Sequence, residues 1–244
     1  MKKKLTKVLL ISLFFILGIF FVARLAGPNI LRLYVDLGIG SCREIPLLCT
    51  TAEKEILNPD IDRQYLNTLA PYRFTNIEIR LPKEFTVINE QITRVYYKKK
   101  KRYDKGSVAY LLYEEPHFFV DLFPSLKRLS VNNNVDFLNH TMQANASAIR
   151  NIKDTFFVIV KTVFTPGFGG QKNISLIKYS DVQKKGFIAF SLGDQDNYFD
   201  CNLTDKEDNF FKVYIKDRGA VLDLKKVITI ISTLKKPLVT DAQP

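Results

Sequence analysis

An uncharged run of sixteen residues, Val8 to Ala23 (VLLISLFFILGIFFVA), stands between a lysine-rich tip and Arg24, and such a run leaves few arrangements open. As a helix it spans roughly 24 Å, short of the ~30 Å hydrocarbon layer, and the snorkelling stems of Lys7 and Arg24 close the difference. The sequence therefore predicts a transmembrane anchor. A cleaved signal peptide is the rival reading. It requires small residues at both −1 and −3, but a cut after Ala23 puts Phe21 at −3 and a cut after Ala26 puts Arg24 there. Lys2, Lys3, Lys4 and Lys7 precede the run, while Arg24, Arg32, Asp36 and Arg43 follow it in a mixture of signs. That asymmetry predicts a single-pass membrane protein with a cytoplasmic N-terminus and an extracytoplasmic C-terminal domain. Ile39 to Cys42 has the letters of a lipoprotein box, but Pro28, Arg32 and Asp36 separate it from the apolar run it ought to terminate.

Cys42 and Cys49 lie close together in SCREIPLLCT. Outside the cytoplasm a disulfide between them would brace the chain after the membrane segment, two free thiols being the alternative. On a strand, Phe199, Cys201 and Leu203 share one face and Tyr198, Asp200 and Asn202 the other, which makes Cys201 a core residue rather than a nucleophile. Three cysteines with His117 and His140 lack the spacing of a four-ligand zinc site.

Beyond the anchor at 1–27, residues 28–74 read as a linker with short helices, one from Thr50 or Thr51 to Leu57 and one from Ile61 to Leu69. Residues 75–236 form the expected α+β sandwich domain, and 237–244 a flexible tail. Strands are predicted at NIEIRL, FTVINEQITRVYY, SVAYLLY and HFFVDLF. An amphipathic helix carrying Leu138, Met142, Ile149 and Ile152 follows, capped from the asparagines at 132–134. Five more strands are predicted at TFFVIVKTVF, KNISLIKY, GFIAFSL, NYFDCNL and NFFKVYIK, with FFVIV reading as a central strand because it is apolar on both faces. Val221 to Leu234 closes the chain as an amphipathic helix. The fold class is α+β: one N-terminal transmembrane helix, then a mainly antiparallel sheet covered by amphipathic helices.

A strand entering Leu81, Pro82 and Phe85, a long meander and a closing helix ending IISTLK resemble the layout of the Mog1/PsbP-like α/β/α sandwiches, over roughly residues 75 to 235. That group includes extrinsic photosystem subunits, a nuclear-transport factor and bacterial envelope proteins. The resemblance thus implies a layered fold and no particular activity, and no site residue carries over.

The formal charge of +11 is concentrated in the N-terminal tip and in Lys98, Lys99, Lys100, Lys101 and Arg102, placed at a hairpin tip between two predicted strands. This second cluster reads either as a solvated loop or as a contact for an anionic membrane surface. In the second case each charge contributes ~1 kcal/mol, and Tyr96, Tyr97 and Tyr103 act as interfacial anchors. The predicted topology removes the domain from nucleic acid. The Pro166–Gly170 turn lacks phosphate-loop spacing, and the carboxylates Asp194, Asp196, Asp200, Asp205 and Asp208 lack the glycine and glutamate of an EF-hand. His117 and His140 have no nucleophile-elbow or zinc-protease context, and adjacent Glu114 and Glu115 would point to opposite faces of a strand. No catalytic residue and no cofactor is expected. The sequence points to a membrane-anchored extracytoplasmic binding or accessory module, with an envelope protein or an anionic lipid surface as partner. The alternatives are an envelope enzyme with an atypical, hydrolase-like site, and a structural subunit of a membrane complex.

Overall fold

The computed structural model describes residues 26–74, 77–83, 85–89, 94–97, 107–165, 168 and 171–236. The expected membrane run Val8–Ala23 and the basic run Lys98–Arg102 lie outside these residues. Among the described residues no helix is long and apolar enough to cross a membrane.

The chain forms a mixed α+β structure around an eight-stranded, mostly antiparallel sheet. In chain order the strands are β1 (Lys54–Leu57), β2 (Leu69–Phe74), β3 (Ile77–Pro82), β4 (Phe85–Asn89), β5 (Arg94–Tyr97) and β6 (Val108–Glu114), then β7 (Ser175–Ser180), β8 (Lys184–Ser191), β9 (Asp196–Asp205) and β10 (Phe210–Arg218). The helices are α1 (26–38), α2 (Arg63–Thr68), α3 (Phe118–Leu122), α4 (Asn134–Gln143), α5 (Ile152–Phe164) and α6 (Leu224–Ser232). The large sheet runs β1-β7-β8-β9-β10-β6-β5-β4, and β2 pairs with β3 in a separate hairpin. β1 runs parallel to β7, and the other pairings are antiparallel. Residues 28–74, expected as a linker, thus supply most of α1 and all of β1, α2 and β2, and β1 is hydrogen-bonded into the main sheet.

Alternation fixes the first face of the sheet. Phe199, Cys201 and Leu203 of β9 and Phe211, Val213 and Ile215 of β10 are buried against Val227, Ile230 and Ile231 of α6 and Ile77, Ile79 and Leu81 of β3. Burying four side chains of α6, Val227, Ile228, Ile230 and Ile231, contributes on the order of 10 kcal/mol of transfer free energy. Glu78 and Lys235 exchange backbone hydrogen bonds of 2.8 and 2.9 Å, tying the hairpin to the end of α6. The second face is covered by α3, α4 and α5. There Phe119 stacks on Phe137 at 4.3 Å and meets Phe210 of β10 edge-on at 5.0 Å. A third, smaller cluster joins Val35 of α1 to Leu48, Ala146, Ile149 and Val158.

Several expected elements are corrected. TFFVIVKTVF is helix α5 rather than a central strand. The Asn151 side chain accepts from Asp154 N at 3.0 Å and the Asp154 carboxylate accepts from Arg150 N at 2.9 Å, so a capping arrangement opens a helix in spite of its β-branched content. Burial at Thr155, Phe157, Val158 and Lys161 has helical spacing, while Ile152 and Val163 are 77% and 71% exposed. HFFVDLF likewise forms α3, not a strand. FTVINEQITRVYY is divided into β4 and β5, which pair antiparallel instead of continuing as one strand. The turn expected from Thr50 to Leu57 is strand β1. The helix expected across Leu138 to Ile152 ends at Gln143, after which a 3₁₀ turn at Ala146–Ala148 leads into α5; its cap is Asn133, which accepts from Asp136 N at 2.7 Å.

Candidate functional site

The second faces of β9 and β10 carry the residues that alternation leaves over, and beside the aromatic cluster around Phe210 they bury a polar group. Asp200, Asn202 and Thr204 are fully buried, and Lys212 nearly so. Asp200 Oδ2 lies 3.0 Å from Lys212 Nζ, and Asp200 Oδ1 accepts from Asn202 Nδ2 at 2.7 Å. Burial pushes the Asp200 carboxyl up from its ordinary range, while Lys212 and the Asn202 amide work against that shift. Tyr214, opposite Asp200 in the register, is pushed up to about 12 by burial and then by the Asp200 charge. Towards solvent, Lys216 Nζ stands 3.4 Å from Asp196 and 5.0 Å from the Tyr198 ring centroid. The buried Asn202 Oδ1 has no hydrogen-bond partner among the described residues.

Lys212 also donates to the carbonyl of Phe164, the last residue of α5. Lys184 does the corresponding work at α6, donating to Ser232 O at 3.3 Å and Leu234 O at 3.0 Å. Lys161 donates to Thr50 O at 2.6 Å and to Ala144 O, at the C-cap of α4, at 2.8 Å. Three buried lysines therefore close the C-terminal ends of three helices whose C-caps are Ala144, Thr165 and Thr233 rather than glycine. An ammonium at the negative end of a helix satisfies orphan carbonyls and complements the dipole. Burial pulls Lys161 down to about 7 and lowers Lys184 too.

A cleft of 510 Å³ between the start of α4 and the β7–β8 and β9–β10 turns gathers Asp136, Asp181, Asp205 and Asp208. Each carboxylate is already engaged by backbone N–H groups. Asp181 accepts from Gln183 and Lys184 at 2.7 and 2.6 Å, and Asp205 from Glu207 and Asn209 at 2.9 Å each. Asp208 accepts from His117, Asn134 and Val135 at 3.0–3.1 Å, seating the β9–β10 turn on the α4 N-terminus. Asp136 accepts from Asn132 at 3.1 Å. A second cleft, of 480 Å³, holds His140 and Lys153 between α4 and α5. The imidazole stacks on Phe157 at 5.0 Å, and burial, reinforced by Lys153, pushes its pKa down.

Of the residues singled out in the sequence, Cys42 and Cys49 form a disulfide with their Cα atoms 5.6 Å apart. It closes the turn between α1 and β1 and borders the cluster around Val35. Cys201 is a buried free thiol, pushed well up by burial. Lys98, Lys99, Lys100, Lys101 and Arg102 fall in the connection from β5 to β6, outside the described residues. The candidate calcium carboxylates separate, Asp200 into the interior and Asp205 and Asp208 into one turn. Among the described residues no group of three or more His, Cys, Asp or Glu is placed to hold a metal ion.

Strand phase already set Asp200 and Asn202 opposite Cys201. What sequence reasoning missed was their burial beneath α4 and the end of α5, the second of which was expected as a strand. The capping pair Asn151 and Asp154 was the available signal. The chain matches no family model and no curated protein.

Proposed function

We propose that this protein is a non-enzymatic, membrane-tethered binding or accessory module of the cell envelope, presented outside the cytoplasm. The observation that carries the reading is the Cys42–Cys49 disulfide, a bond that persists in oxidising compartments and that stands one helix, α1, beyond the segment expected to anchor the chain in the membrane. The distribution of polar chemistry adds support: the buried ammonium groups hold helix ends, and the carboxylates gathered in the larger cleft hold turns and a helix start. We ascribe contact with an anionic partner to the run Lys98–Arg102, which lies outside the described residues.

Topology and thiol state test this directly. The protein should remain in the membrane fraction at high pH, and protease added outside intact cells should digest the C-terminal domain. A membrane-impermeant maleimide should label nothing until a reductant exposes two thiols, Cys201 staying buried. Recovery of a soluble chain beginning near Gly27, or rapid labelling of Cys42 or Cys49 before reduction, would sink the reading.

A further inference from the structure

Ile30, Leu33, Tyr34 and Leu37 are 63%, 57%, 63% and 80% exposed, and at spacings of three and four they form one continuous apolar stripe along α1. The opposite side of the same helix is fastened to the domain: Val35 is fully buried and Leu31 packs beside it, with the Cys42–Cys49 bridge in the same cluster. The stripe therefore has a fixed direction. Its polar neighbours Asn29, Arg32 and Asp36 lie off the stripe on the helical wheel.

We infer that this stripe is a membrane-interface face, lying in the headgroup and upper acyl region of the bilayer that holds the N-terminal segment. The inference rests on the membrane-anchored reading above. Its own support is continuity, since the apolar run ends at Ala23 and α1 is already under way at Ala26. Gly27 and Pro28 stand at that junction. Both lie in the first turn of α1, where Pro28 has no N–H to donate to residue 24, so α1 does not depend on that hydrogen bond to the preceding chain. Leu, Ile and Tyr on one face, with polar groups on the flank, are the composition of an interfacial helix.

A second copy of the chain is a poorer occupant. Thirteen helical residues are about 20 Å long and about 10 Å wide, a footprint of roughly 200 Å². A standard protein interface needs about 800 Å² from each partner.

The chain contains no tryptophan, so Tyr34→Trp introduces a single reporter into the full-length protein reconstituted in bilayers. Brominated lipids with the quencher near the headgroup or near the chain end then read its depth. The expected result is loss of emission that is greater with the shallow bromines, as for an apolar face about 5–10 Å below the headgroups. Val182→Trp, an exposed position in the β7–β8 turn, should keep its full emission. Leu33→Gln with Leu37→Gln in the Tyr34→Trp background should weaken the quenching while the protein still resists alkaline extraction. Unquenched, red-shifted emission would put the stripe in water, and unquenched, blue-shifted emission would put it against protein; either overturns the inference and leaves the anchor standing. Release of the whole chain at high pH overturns both.

Discussion

The two faces of β9 and β10 are made from alternate residues of the same strands, yet they are stabilised by different physics. One face, with Phe199, Cys201, Leu203, Val213 and Ile215, is apolar and meets the apolar side of α6. The other buries Asp200, Asn202, Thr204 and Lys212 under the helical layer that includes α4, and Lys212 joins the sheet to the end of α5 through a charged hydrogen bond. The first face needs only volume and hydrophobicity in the right phase and tolerates substitutions that preserve them. The second needs specific partners, because a buried ion that loses its counter-charge destabilises the fold far more than the intact pair stabilises it.

The largest expected effect breaks the comparison open. Lys212→Met strands the Asp200 carboxylate and should cost about 3–5 kcal/mol in denaturant unfolding, whereas the double variant Asp200→Asn with Lys212→Met should recover most of it. Phe199→Ala on the apolar face should cost a similar 3–5 kcal/mol through a cavity that no neutralising second change repairs. Additive losses in the Asp200 and Lys212 double variant would show that the pair is not coupled.

Next in size is a pH effect at the buried Lys161. Lys161 is lowered from 10.5 to about 7 in the folded chain, so between these values the unfolded state binds the extra proton. Its contribution to stability is therefore least below about pH 7 and rises as pH increases towards 10.5. The neutral amine keeps two N–H groups for Thr50 O and Ala144 O, so those bonds survive deprotonation. Relative to Lys161→Met, the wild type should gain up to about 4 kcal/mol between pH 7 and 10. Parallel stability curves for the two proteins would refute a titrating Lys161.

The smallest effect is expected for the basic run Lys98–Lys101. Changing Lys98, Lys99, Lys100 and Lys101 to Gln should move stability by less than about 0.5 kcal/mol. The same change should remove most of the salt-sensitive binding of the fragment from residue 28 onward to anionic vesicles, read by co-sedimentation at two salt concentrations. Equal binding by both forms would return the run to a plain solvated loop.

What the sequence by itself determined is whatever depends on local periodicity and spacing. The phase of β9, the apolar side of α6 and the proximity of Cys42 to Cys49 were all legible, because each follows from a repeat of two or of about 3.6, or from a short loop. Tertiary structure decided the rest. FFVIV is apolar on both sides and fits a buried strand as well as a buried helix; the capping contacts at Asn151 and Asp154 and the helix-spaced burial of Phe157, Val158 and Lys161 resolve it as α5. Whether Lys161, Lys184 and Lys212 face water or hold helix ends depends on carbonyls distant in sequence, such as Thr50 O for Lys161 and Leu234 O for Lys184. No local pattern encodes such a partner, since a lysine in a strand or helix has the same spacing whether its ammonium is solvated or enclosed. Only the packing of α4, α5 and α6 around the sheet removes water from these lysines and presents the carbonyls that replace it.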